Sequence, residues 1–87
     1  MYYIAVYDIN VDRVGKMLKI FRRYLTWVQN SVFEGELTRS QYESLKAEAE
    51  ALMDPSEDSV ILWAMRGPHA LERETLGDEP GRTGRML

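Results

Sequence analysis

Tyr2-Tyr3-Ile4-Ala5-Val6-Tyr7-Asp8-Ile9-Asn10-Val11-Asp12 changes its periodicity at Asp8. Residues 2–9 are dense in β-branched and aromatic side chains and apolar on both faces, the pattern of a central strand covered on both sides. Beyond them Val14, Met17, Leu18, Phe21 and Leu25 recur at i, i+3, i+4, i+7 and i+11. That is one apolar stripe of a helix over about residues 11–25, with Asn10 or Asp12 available as its N-cap. A strand that turns directly into an amphipathic helix sets the phase for everything downstream.

Residues 26–37 are strand-like again and contain Trp27, Val28, Val32 and Phe33. They read either as a short hairpin bent near Asn30 or as one strand ending at Gly35. Thr38-x-x-Gln41 is a capping box. It opens a second helix with Tyr42, Leu45, Ala49 and Leu52 on one face and Glu43, Lys46, Glu48 and Glu50 on the other, closed by Asp54-Pro55-Ser56. Residues 59–65 form a strongly apolar strand, Arg66-Gly67-Pro68 turns the chain, and residues 70–76 read as a further short strand. From Gly77 onward Gly, Pro, Asp and Arg dominate, which predicts a domain over residues 1–77 and a flexible tail over 78–87. The order predicts an α+β, ferredoxin-like βαββαβ fold with an antiparallel sheet and an added C-terminal strand. Two helices on one face of such a sheet leave the other face bare. With Tyr2, Tyr7, Trp27 and Trp63 in or beside the strands, a homodimer that covers this face is expected.

Composition narrows the classes. The chain has 87 residues, one domain's worth, and no cysteine, which removes disulfide frameworks and thiolate zinc sites and fits a reducing compartment. No run approaches the roughly 18 apolar residues of a membrane span, so no membrane partner and a cytoplasmic location are expected. The net charge of −3 argues against a nucleic-acid binder until its distribution is considered. Arg13, Lys16, Lys19, Arg22 and Arg23 crowd the first helix, whereas residues 34–58 hold eight acids against Arg39 and Lys46. A basic element and an acidic one are hidden in the mean.

Few residues carry candidate chemistry. His69 is the single histidine and sits after Gly67-Pro68 in an expected turn, so no Ser/His/Asp or Cys/His nucleophile set exists. Asp8 ends the first strand. It reads either as a solvated strand end or cap, or as a metal carboxylate. In a two-fold dimer two copies of Asp8 would hold one Mg²⁺, an ion that binds through one or two carboxylates and activates water for phosphodiester cleavage. The five basic residues of the first helix read either as a solvated face or as a row of phosphate contacts.

Two segments resemble a known family. Tyr3-Ile4-Ala5-Val6-Tyr7-Asp8-Ile9, followed by Arg13 and Lys16, resembles the opening of the small CRISPR-associated "Cas-two" family. Trp27-Val28-Gln29-Asn30-Ser31-Val32-Phe33-Glu34-Gly35 resembles its second signature, and Thr75-Leu76-Gly77 its usual close of the last strand. Members often carry Gly before the second strand, where this chain has Leu25-Thr26. The resemblance implies a homodimer whose final strand crosses to the partner's sheet. It also implies partnership with dimers of a "Cas-one" integrase on DNA, and Mg²⁺-dependent nuclease activity on RNA or DNA with Asp8 as metal ligand and catalytic residue. Three readings follow: a nucleic-acid-binding subunit of the spacer-acquisition complex, a metal-dependent nuclease, and, setting the resemblance aside, a small regulatory or ligand-binding ferredoxin-like dimer.

Overall fold

The first strand decides how the rest can pack, because it lies at the centre of the sheet. A computed structural model describes residues 1–67 and 70–77 of the chain. The elements are β1 (Tyr2–Asp8), α1 (Val11–Tyr24), β2 (Thr26–Gln29), β3 (Val32–Glu36), α2 (Arg39–Leu52), β4 (Ser59–Gly67) and β5 (Ala70–Gly77). The sheet runs β2-β3-β1-β4-β5, antiparallel throughout, so the fold is the expected α+β ferredoxin-like arrangement with a fifth strand.

Each boundary has a local cause. Asn10 caps α1, its side chain accepting from the Asp12 N–H. Thr38 and Gln41 form the capping box of α2 in both directions. The open question over residues 26–37 resolves as a hairpin. Asn30 takes φ +46°, a left-handed conformation that Asn tolerates better than most side chains, and the two-residue turn reverses the chain into β3. A register shift between Trp27 and Gln29 adds an extra residue to β2. β5 forms a hairpin with β4 of its own chain. Its outer edge ends the sheet. Gly77 ends β5 at φ +79°, where an added Cβ would lie 2.3 Å from the Asp58 carbonyl oxygen and 2.6 Å from Met53 Cε.

Both helices cover one face. Tyr3, Ala5, Tyr7, Phe33, Val60, Leu62 and Leu76 point toward them and are buried with Met17, Phe21, Leu45 and Ala49. The Phe21, Phe33 and Tyr7 rings form a cluster with centroids 5.2–5.7 Å apart. The alternate residues of β1, Tyr2, Ile4, Val6 and Asp8, point to the other face. Register places Ile61, Trp63, Met65 and Val32 beside them and sets Glu34 and Glu36 opposite Ile4 and Tyr2, so this second face carries an apolar patch flanked by two acids of β3, with no helix among the described residues over it. No helix among the described residues is long and apolar enough to cross a membrane. The expectations placed on Pro68, His69 and the tail over 78–87 lie outside the described residues.

Candidate functional site

Asp8 closes the apolar row of β1, in register with Ser59 of β4. It is exposed, at the rim of the uncovered sheet face. Among the described residues no group of three or more metal-ligating side chains forms around it or elsewhere. Asp8 is thus a hard carboxylate outside any three-ligand cluster among the described residues. Such a donor suits an ion that keeps most of its waters, and a second copy across the bare face would double it.

The basic row divides under the structure. Arg13 is committed inside the molecule. Its Nε donates to Asp58 Oδ2 at 2.6 Å, and its Nη2 donates to Glu57 at 2.7 Å and to Asp58 Oδ1 at 3.2 Å. Its side chain is 23% exposed, and Asp58 is fully buried. The Arg13 guanidinium is held above its ordinary pKa first by hydrogen bonding to Asp58, while Arg13 and two backbone N–H groups hold the Asp58 carboxyl down to about 2. Any phosphate contact by Arg13 has to compete with this pair. Arg23 reaches Glu48 on α2, as does the Tyr24 hydroxyl. Lys16, Lys19 and Arg22 are exposed and make no ion pair among the described residues. Arg22 lies close enough to Tyr7 for its charge to oppose the upward push that burial gives the Tyr7 phenol.

Asp58 is the residue that sequence reading missed. It accepts from the Asn10 and Asp54 N–H groups, each at 2.8 Å, as well as from Arg13. It thus ties the loop after Asp8, the start of α1 and the loop before β4 together. The available signal was the acid pair Glu57-Asp58 set directly before the apolar run of residues 59–65.

A cleft of about 830 Å³ opens between α2 and the β4–β5 hairpin, lined among others by Tyr3, Arg39, Tyr42, Lys46 and Glu74. Most of its charges are already matched. Lys46 pairs with Glu74 and Glu43, Arg39 with Glu43, and Arg66 with Glu72. Tyr42 stacks on Tyr3 at 4.4 Å and donates to Glu74, and burial together with that carboxylate raises its phenol. Arg73 also lines the cleft and has no ion-pair partner among the described residues, so the balance of lining charge is one cation in excess of the matched pairs.

Residues 1–70 match the family described as CRISPR associated protein Cas2. The CRISPR-associated endoribonuclease Cas2 of Thermotoga maritima is 54% identical over 84 residues, covering 97% of each chain. The protein of the same name from Dictyoglomus turgidum is 46% identical over 87 residues, covering 100% of both. A crystal structure of a protein named cas2 superposes with a TM-score of 0.74 at 37% identity, covering 93% of this chain and 91% of that one. The resemblance read from the strand-end aspartate and the Gln29–Glu34 signature is thereby established: this chain belongs to the Cas2 family of CRISPR-associated proteins.

Proposed function

We propose that the chain works as a homodimeric, nucleic-acid-binding subunit of CRISPR spacer acquisition, with metal-dependent phosphodiester cleavage available through Asp8. The observation that carries this reading is the position of Asp8. It is an exposed carboxylate at the end of an uncovered apolar row, so closing that face with a second copy about an axis near the end of β1 sets two such carboxylates together. Relatives named endoribonucleases at 46–54% identity support the cleavage arm. Asp8 from each protomer would hold Mg²⁺, which when bound supplies an activated water. Lys16, Lys19 and Arg22, with Arg23 beside them, hold the phosphate backbone near that centre without reading sequence. The integrase dimers of the acquisition complex are the protein partner, and the Cas2 dimer bridges them on DNA.

Two measurements on Asp8→Ala separate the arms. Cleavage of RNA and DNA in Mg²⁺ should fall by more than roughly 100-fold, because groups that merely orient a metal ligand are already worth about 10–100-fold. Spacer integration by the purified integrase with the same variant should proceed. Undiminished cleavage removes Asp8 from the chemistry, and lost integration with intact dimer merges the two roles into one.

A further inference from the structure

Trp27 is 48% exposed on the edge strand β2, next to Val28 at 44%. Its surroundings follow from the packing. α2 lies toward β1 and β5, since Tyr42 stacks on Tyr3 and bonds Glu74. α1 lies over β1 and β3, since Phe21 packs on Tyr7 and Phe33. Arg23 and Tyr24 reach α2 through Glu48, which fixes the flank of α1 that faces the other helix. At 3.6 residues per turn Arg22 falls on the opposite flank, toward the β2 edge, with Lys19 one turn earlier and nearer the solvent. Trp27 is in register with Phe33, so its side chain leaves the sheet on the helix side. It stands one strand spacing, about 4.8 Å, outward of the ring that touches Phe21. Helix phase and strand register together therefore set Trp27 on the side of the sheet, and toward the flank of α1, where Arg22 and Lys19 fall.

The ring is also held. Its Nε1–H donates to the Asn30 carbonyl at 2.8 Å, across the turn that the left-handed Asn30 makes. The polar edge of the indole is thus satisfied within the hairpin, and the large apolar remainder meets water on the side of two cations that pair with no acid among the described residues. An aromatic plane next to phosphate-binding charge matches a nucleotide with an unpaired base, and only single-stranded nucleic acid offers one. Resting on the nucleic-acid reading of α1 above, we propose that Trp27 is a stacking platform for an unpaired base of a strand whose phosphates run along Lys19 and Arg22. This side of the protein then takes single-stranded RNA or DNA in preference to duplex.

The test is a cycle of affinities at one fixed salt concentration. The ligands are a single strand, the same strand with abasic sites in place of its bases, and its duplex, each made as RNA and as DNA. Trp27→Ala should weaken the intact single strand by about 5–140-fold, the worth of one base–aromatic stack. It should change duplex and abasic binding by less than about two-fold, and wild type should bind the abasic strand as weakly as Trp27→Ala binds the intact one. Trp27→Phe, which keeps a ring but not the indole N–H, should retain most of the affinity and confirm that the fold is intact. An equal loss on all three ligands, or no loss on any, overturns the stacking role. Unchanged nucleic-acid binding with lost capture of the integrase also overturns it, and makes the β2 edge a protein contact. A Lys16→Ala/Lys19→Ala variant that binds every ligand like wild type defeats instead the reading of α1 on which this rests. The RNA and DNA arms show which of the two the site favours.

Discussion

Asp58 concentrates more of the local structure than any other charged side chain among the described residues, because its carboxylate serves two loops and a helix at once. A fully buried anion is tolerated only when its partners are complete, and here they are. Removing one side leaves the other uncompensated. Asp58→Ala should therefore cost about 3 kcal/mol, near the lower end for a broken buried pair because Arg13 keeps some water contact. Urea denaturation at neutral pH measures this. The acid dependence has a defined sign. The native carboxyl is held down to about 2 against an ordinary 3.8, so its contribution is complete above roughly pH 5 and lost as the pH falls from about 4 toward 2. The stability gap between wild type and Asp58→Asn should narrow over that range. A gap that stays constant from pH 6 to pH 2 would show that the ion pair is not what holds the loop.

At the scale of elements, α1 does two jobs with two sets of cations. Arg13 fastens its first turn to the loop before β4, and Lys16, Lys19 and Arg22 face water. Lys16→Ala/Lys19→Ala should flatten the salt dependence of duplex DNA binding by about 1.8 in log–log slope, two contacts at about 0.9 each, with no change in unfolding midpoint. Arg13→Ala should do the reverse, lowering the midpoint and leaving the slope nearly unaltered. If instead Arg13→Ala flattens the slope, the guanidinium leaves Asp58 when phosphate arrives. This division was not legible in the chain, because the partner of Arg13 lies 45 residues away and only tertiary packing brings the two together. What depends on short-range signals was legible: the stripe from Val14 to Leu25, the Thr38 capping box, the apolar run into β4, and Asp8 at a strand end. The β2–β3 hairpin stayed open between two readings, since its turn is a single left-handed Asn30 without glycine and its bulge breaks the alternation that marks a strand. Trp27 was visible as an aromatic, but not as a ring left half in water on the edge strand.

For the whole molecule, the decisive fact is an asymmetry between the two faces of one sheet. The helix side buries a continuous core. The other side shows Tyr2 37% exposed and Met65 41% exposed around half-buried Ile4, Val6, Ile61 and Trp63. A chain of 87 residues buries a smaller share of its surface than a larger domain and gains most from covering such a patch. On the proposed arrangement, with the two-fold axis near the end of β1, covering it with a second copy would also bring the rim carboxylates of Asp8 toward one another and so couple assembly to chemistry. Sedimentation or light scattering at micromolar concentration should give twice the 10.1 kDa of one chain. The interface should bury on the order of 1,000 Å² or more. Ile4→Glu, which puts a charge in the middle of that face, should give a monomer, because an unpaired carboxylate buried between two apolar sheets costs more than the surrounding contacts return. The variant should keep its helical circular dichroism, since Ile4 does not face the core. Its Mg²⁺-dependent cleavage should fall as far as that of Asp8→Ala, although Asp8 itself is untouched. Wild type running at 10.1 kDa would refute the dimer, and a monomeric Ile4→Glu that still cleaves at the wild-type rate would show that one Asp8 suffices.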